Sequence, residues 1–216
     1  MSGKYQKLNW QEKNNISSID CSIDIAVHPA KSKIILLTIP GVDGSVDGYE
    51  GKYIKIAESA QKKYGVAVLR MSNPFISSLF WESNVRRVLE FIQDNLITIS
   101  GRQDVELRIM AHSAGASVIT MIAWEYPFIS KLLLINPAIR LWPDKIKYGL
   151  SEFGGNKTTI LIGSRDPSLI EVKNLSEQKG LSGIKTVVID GADHDFSGKA
   201  FPIFLSAAET YLLVKM

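Results

Sequence analysis

Six short runs rich in Val, Ile and Leu recur along the chain, and stretches with apolar residues at helical spacing separate most of them. The runs occupy residues 33–40, 66–71, 104–111, 130–137, 158–164 and 184–190. A strand that is covered by helices on both faces is apolar on both sides, so it reads as a continuous apolar run. The pattern therefore predicts an α/β fold, with a doubly wound, mostly parallel sheet flanked by helices.

The segments around these runs complete the expected architecture. Residues 4–9 and 20–28 alternate weakly between polar and apolar, which favours two further strands at one edge of the sheet. Helices are predicted up to Gly65, over 81–96, over 167–179 and over 198–215, and the apolar stretch from Ala114 to Tyr126 should be a buried helix. The stretch 141–153 is mixed in character and receives no assigned element.

Composition limits the class of protein. A chain of 216 residues can bury one large core, and the sequence has no linker-like segment, so a single domain over 1–216 is expected. The net charge of +3 comes from scattered basic residues, which argues against nucleic acid as a partner. Cys21 is the only cysteine, so no internal disulfide can form. The N-terminus does not resemble a signal peptide and no apolar run is long enough to span a membrane, so a cytoplasmic location is expected.

Three residues suited to nucleophilic catalysis follow three different predicted strands. Ser113 follows the run 104–111, Asp166 follows 158–164, and His194 follows 184–190. Ligands of open α/β sheets bind beyond the carboxyl ends of the strands, so these side chains should converge there. A serine hydroxyl needs a base within hydrogen-bond reach, histidine has a suitable pKa, and a carboxylate fixes the histidine tautomer.

These motifs give the chain a resemblance to the α/β-hydrolase superfamily that covers nearly the whole sequence. Ala111-His112-Ser113-Ala114-Gly115 resembles the superfamily's G-x-S-x-G nucleophile elbow, with Ala in place of the first Gly. "GSRDPS" and "GADHDF" resemble its acid and histidine loops, and the order Ser, Asp, His is the superfamily's order. The short segment 136–158 leaves little room for a cap, so the resemblance implies a small, lidless serine esterase or thioesterase.

An enzyme of this kind also needs two backbone N–H groups to stabilise the oxyanion. Ala114 follows the nucleophile at the start of a helix and is the first expected donor. The resemblance indicates Val42, after Gly41, as the second. Relatives usually carry His-Gly where this chain has Pro40-Gly41, so Asp43 remains an alternative.

Each of these residues also has a simpler interpretation. Ser113 could be a packing serine at a strand–helix junction, Asp166 could cap the helix near Pro167, and His194 could lie on the surface. Asp144 is a competing acid. His112 is expected to pack beside the elbow rather than to line the cleft.

Two further interpretations concern the remaining histidine and the apolar loops. His28 precedes Pro29 and is expected in a turn, and the spacing of the three histidines does not suit a metal site. The loops 72–81 and 141–153 could supply an acyl pocket through Phe75, Leu79 and Trp142. The same residues could instead seal helices onto the core or form a protein contact.

The sequence thus predicts a serine hydrolase that cleaves a small carboxylic ester or thioester through an acyl-enzyme, with no cofactor. An amidase or peptidase with the same triad remains open, as does a non-catalytic binder of a small molecule or protein on a hydrolase scaffold. The oligomeric state is not predicted.

Overall fold

A computed structural model describes residues 3–13, 18–75, 81–178, 180–181 and 183–214 of the chain. Its centre is an eight-stranded sheet in the order β1-β2-β4-β3-β5-β6-β7-β8. The strands are β1 (Lys4–Lys13), β2 (Ser18–His28), β3 (Ile34–Ile39), β4 (Ala67–Met71), β5 (Glu106–His112), β6 (Ile129–Ile135), β7 (Thr158–Gly163) and β8 (Lys185–Ile189). Strands β3 to β8 are parallel, whereas β1 and β2 are antiparallel additions at the β4 edge. The predicted doubly wound sheet with two extra edge strands is therefore confirmed.

Seven α-helices connect and cover the parallel strands within the described ranges. They are α1 (Lys52–Tyr64), α2 (Trp81–Asp94), α3 (Leu96–Ser100), α4 (Ser113–Ile122), α5 (Pro143–Phe153), α6 (Leu169–Ser176) and α7 (Phe201–Ala208). A single π-helical turn, Glu209–Leu213, follows α7, so the predicted helix over 198–215 is divided.

Apolar side chains form a core on each face of the sheet. In β3, Ile35 and Leu37 join the core beneath α2, α4 and α5, whereas Leu36 joins the core beneath α1 and α7. This alternation explains why every residue of the strand except Thr38 is apolar, since both faces need apolar contacts. Helix α4 is buried from Ala114 to Ile122, as its sequence predicts. It ends before the predicted limit at Tyr126, because a short 3-10 turn follows in which Trp124 and Glu125 are exposed.

The region 141–153, which the sequence left unassigned, contains helix α5. Pro143 lies in its first turn with Asp144, and Gly154 follows its last residue. Gly149 allows α5 to approach α4 closely, because a Cβ atom there would lie 2.1 Å from the Thr120 carbonyl oxygen. The mixed composition reflects one face packed on α4 and another exposed to solvent.

The prediction that His28 lies in a turn is wrong, because His28 is the last residue of β2 and is buried. Its Nε2 accepts a hydrogen bond of 3.1 Å from Nε of Arg70, whose side chain is also fully buried. Arg70 additionally donates to the Val46 carbonyl oxygen and pairs with Asp47. His28 lies on the face of β2 opposite to Ile23, Ile25 and Val27, and this face is covered at the end of the strand. The guanidinium of Arg70 supplies the polar partner that a buried imidazole requires.

The buried pair of His28 and Arg70 should make the protein less stable in acid. Burial and the charge of Arg70 lower the pKa of His28 to about 4. In the unfolded chain the pKa is about 6.5, so the stabilising effect of a neutral His28 is present above that value and is lost as the pH falls towards 4. Between these pH values, wild type should lose about 3 kcal/mol more of its free energy of unfolding than His28→Gln, which can still accept from Arg70. Urea unfolding across this pH range measures the difference, and equal losses in the two proteins would contradict the prediction.

Candidate active site

Ser113 lies at the sharp turn between β5 and α4. Its φ of +55° falls in the left-handed region, which is uncommon for a residue with a side chain. Two residues later, Gly115 touches the neighbouring loop so closely that a Cβ atom would lie 2.2 Å from the Pro40 carbonyl oxygen. The small residues around Ser113 thus have a steric cause, and the turn holds the serine at the carboxyl end of the sheet.

The structure brings Ser113, His194 and Asp166 into one hydrogen-bonded chain. Nε2 of His194 lies 2.8 Å from Oγ of Ser113, and Nδ1 lies 2.6 Å from Oδ2 of Asp166. Asp166 is buried, and its Oδ1 accepts a bond of 2.7 Å from the backbone N–H of Ser168. Ser168, rather than Asp166, is the residue that precedes α6, so the predicted helix start was two residues early.

The ionisation of His194 is set mainly by its neighbour. The hydrogen bond to Asp166 raises the pKa of His194 above its ordinary 6.5, against the opposing effect of burial. Asp166 therefore stabilises the imidazolium form, which is the form that appears when the histidine takes a proton from a serine.

The backbone of the His194 loop is fixed by residues on two other loops. Nδ2 of Asn136 donates to the carbonyl oxygens of Asp193 and His194, at 3.0 and 2.7 Å. Its Oδ1 accepts from the N–H of Gly163 at 2.9 Å, which joins the β6, β7 and β8 loops. Asn136 was not predicted from the sequence as a positioning residue, because only the tertiary fold places it beside the His194 loop.

His112 is a second positioning residue. Its ring is buried, and its Nε2–H donates to the His194 carbonyl oxygen at 2.8 Å. Burial lowers the pKa of His112 to about 3, so the ring is neutral at physiological pH. The ring packs edge-on against Phe204 at 5.7 Å between centroids, and it also lines the cavity beside Ser113.

The loop after β3 packs directly on the elbow. A Cβ atom on Gly41 would lie 3.0 Å from Cβ of Ser113. The N–H of Asp43 donates to the Asn73 carbonyl oxygen at 2.9 Å and is therefore occupied, whereas the N–H of Val42 has no acceptor among the described residues. Of the two residues that the sequence offered as a second oxyanion donor, Val42 is therefore the one whose N–H is unoccupied within the described residues.

The predicted acyl pocket does not line the cavity at Ser113. That cavity, of about 420 Å³, is formed by the loop 40–45, by residues around Tyr49 and Lys52, and by the His194 loop. Phe75 and Trp142 instead pack on Trp81, with ring centroids 5.4 and 5.7 Å away. These aromatic rings pack α2 against α5 and bury apolar surface between them. This is the alternative interpretation of the two loops that the sequence left open. Leu79 lies outside the described residues.

Asp144, the competing acid, is not part of the hydrogen-bonded chain at Ser113. Asp144 lies in the first turn of α5, and the carboxylate that contacts His194 is that of Asp166. Within the described ranges, no group of His, Cys, Asp and Glu side chains has the arrangement of a metal site. None of the helices in those same ranges combines the length and the apolar character needed to cross a bilayer.

Solved structures with the same architecture cover almost the whole chain. Est1E from Butyrivibrio proteoclasticus superposes with a TM-score of 0.67 at 16% identity, over 95% of this chain and 97% of that one. The esterase Pf2001 from Pyrococcus furiosus gives a TM-score of 0.70 at 16% identity, over 97% and 92% of the two chains. The chain has the α/β-hydrolase fold. Dienelactone hydrolase from Anabaena variabilis, another protein of similar structure, gives 0.61 at 18% identity, over 96% of both chains.

Sequence comparison adds nothing to this result. No protein-family model matches the chain, and no curated protein matches it. Because the sequence identities are below a fifth, the structural similarity shows only that the α/β-hydrolase fold is shared. The activity has to be argued from the site itself.

Proposed function

We propose that this α/β-hydrolase-fold protein is a serine hydrolase that cleaves carboxylic esters or thioesters through an acyl-enzyme. The observation that carries the proposal is the hydrogen-bonded chain from Ser113 Oγ through both ring nitrogens of His194 to Asp166. A nucleophile, a base and a group that orients the base are arranged in the order that acyl transfer requires.

Each residue has a defined part in the proposed reaction. Oγ of Ser113 attacks the acyl carbon while Nε2 of His194 takes the hydroxyl proton. The N–H groups of Ala114 and Val42 stabilise the oxyanion, and the positive end of α4 adds to this. When the intermediate collapses, the alcohol or thiol leaves with the proton from His194. Water then attacks the acyl-enzyme by the same steps and releases the acid.

The proposed ester or thioester substrate is supported by the site and by the proteins of similar structure. Est1E has been solved with bound ferulic acid, and Pf2001 is named an esterase. In this chain the nucleophile borders a cavity of about 420 Å³, a size that suits a small substrate. Comparing rates on an ester and an amide with the same acyl group distinguishes an esterase from an amidase.

Labelling by a fluorophosphonate probe tests the proposal. Such probes phosphonylate an activated serine, so wild type should be labelled and Ser113→Ala should not. Ser117→Ala is the matched control, because Ser117 lies one turn further along α4 and is fully buried. Labelling of Ser113→Ala at the wild-type rate, or no labelling of folded wild type, would show that Ser113 is not an activated nucleophile.

A further inference from the structure

Lys52 is a buried cation beside the Ser113 cavity, and the proposed reaction makes no use of it. We propose that its ammonium group binds a carboxylate on the substrate, so that the enzyme acts on esters of acids that carry a second, ionised carboxyl group. This inference rests on the proposed hydrolase function and adds a substrate class to it.

Lys52 is buried without a salt-bridge partner in the described part of the chain. The residue is only 7% exposed, no Asp or Glu there forms a salt bridge with its ammonium group, and Asp195 acts on it only from a distance. Nζ instead lies above the rings of Phe204 and Tyr53, 4.3 and 5.4 Å from their centroids. Cation–π contacts of this kind offset only part of the cost of removing a charge from water.

The position of Lys52 in the helix adds to this cost. Lys52 is the first residue of α1, a helix of 13 residues, and the N-terminal end of a helix carries partial positive charge. Burial also lowers the pKa of Lys52, which shows that the charged form is disfavoured where it lies. Lys52 therefore lowers the stability of the fold both by its burial and by its place at the positive end of a helix. An anion bound beside Lys52 would explain why a cation lies there.

The cavities place this cation on the path of a substrate. A second cavity of about 470 Å³ adjoins the one at Ser113, and the two share Tyr49, Lys52 and Asp195. Together they form one groove that begins at Ser113, passes Lys52 and ends at Phe201. An acyl chain attached to Ser113 and lying along this groove would bring its far end to Lys52.

The charge of Asp195 affects which kind of anion can bind beside Lys52. Its carboxylate is exposed and raises the pKa of Lys52, which opposes the effect of burial, although the two side chains do not form an ion pair. The carboxylate of Glu50 also lines the second cavity, so one ammonium lies near two carboxylates. This arrangement favours a ligand group with one negative charge over a doubly charged phosphate group, because a second negative charge on the same group would be repelled. We therefore expect the anion that binds in this groove to be a carboxylate.

The test compares two p-nitrophenyl esters that differ in one group. The mono-ester of adipic acid ends in a carboxylate where the hexanoate ester ends in a methyl group. In Lys52→Met the ratio of kcat/KM for the adipate ester to that for the hexanoate ester should fall about tenfold or more, as expected for loss of a hydrogen bond to a charged group. Lys52→Gln, whose side chain ends in a polar but uncharged group, is the second variant and should also lower the ratio.

Lys62→Met is the matched control, because Lys62 carries the same charge on the exposed side of α1 and lines neither cavity. It should leave the ratio unchanged, whereas Asp195→Asn should raise it. An unchanged ratio in both Lys52 variants, or an equal fall in Lys62→Met, would overturn the inference.

Binding of adipate separates this inference from the proposed function. Adipate itself should raise the Tm of wild type and of Ser113→Ala but have a much smaller effect on Lys52→Met. If adipate does not raise the Tm of wild type, Lys52 is not a carboxylate site, whatever the catalytic result. If adipate binds but neither ester is hydrolysed, the proposed hydrolase function fails and the binding site stands.

Discussion

Replacing Asp166 by Asn should lower kcat for ester hydrolysis about 10⁴-fold while leaving the fold intact, the size of effect known for the equivalent change in a serine protease. The carboxylate now accepts the Nδ1–H of His194 at 2.6 Å, so Nε2 is free to accept the proton of Ser113. An asparagine can present its NH₂ group to Nδ1 instead, which places the proton on Nε2. In that tautomer His194 cannot act as the base.

The pH dependence of kcat/KM gives this prediction a second readout. In wild type the rate should fall as the pH drops through the pKa of His194, because the histidine must be neutral to accept a proton. Asp166 raises that pKa above 6.5, so the residual activity of Asp166→Asn should decline at a lower pH than wild type. Asp144→Asn, at the competing acid, should change neither kcat nor the profile. A wild-type rate in Asp166→Asn would show that Asp166 is not the orienting carboxylate.

Replacing Gly115 by Ala should destabilise the protein by about 3 kcal/mol, the upper part of the usual range for overpacking, and should also impair catalysis. The new Cβ atom would lie 2.2 Å from the Pro40 carbonyl oxygen and 2.7 Å from Cγ2 of Ile39, and neither can move without shifting backbone or core. Pro40 must retreat by roughly 1 Å, a displacement that can cost about 100-fold in rate when it moves a catalytic group. Val42 is two residues away, so its N–H should move out of position.

Gly149→Ala is the matched control for this second prediction. Its Cβ atom would lie 2.1 Å from the Thr120 carbonyl oxygen, where α5 crosses α4, so a similar loss in the free energy of unfolding is expected. Because this clash is away from the loop after β3, kcat/KM of the folded protein should stay near that of wild type. Urea unfolding and ester kinetics on both variants measure the two effects. If Gly115→Ala kept both wild-type stability and wild-type kcat/KM, the close approach at Pro40 would be wrong.

The strands were predictable because their signal is local. A strand buried on both faces needs apolar residues at nearly every position, as in Ile34–Ile39, where only Thr38 is polar. Such a strand can therefore be predicted without knowing its neighbours. Ser113, Asp166 and His194 were identified for a related reason. Each follows such a strand, and in a parallel sheet the carboxyl ends of the strands lie at one edge. The expectation of a single domain over 1–216 stays a prediction.

Helix α5 and His28 were not predictable in the same way. The surface of α5 that packs on α4 depends on Gly149, whose role appears only when the two helices meet. His28 precedes a proline, which favours a turn locally, but pairing with β4 brings it beside Arg70 and buries it. In both cases a long-range contact outweighs the local preference.

The sequence by itself determined which segments form the strands and most of the helices, because a buried strand or an amphipathic helix has a local pattern. It also determined which three side chains could form a catalytic chain, because that depends on residue type and on position after a strand. The tertiary structure decided how those side chains are held and what lies beside them. The bonds from Asn136 and His112 to the His194 loop join residues far apart in the chain. So does the packing of Lys52 on Phe204 at the edge of the cavity. Such contacts depend on the sheet bringing separate loops together, and no local pattern records them.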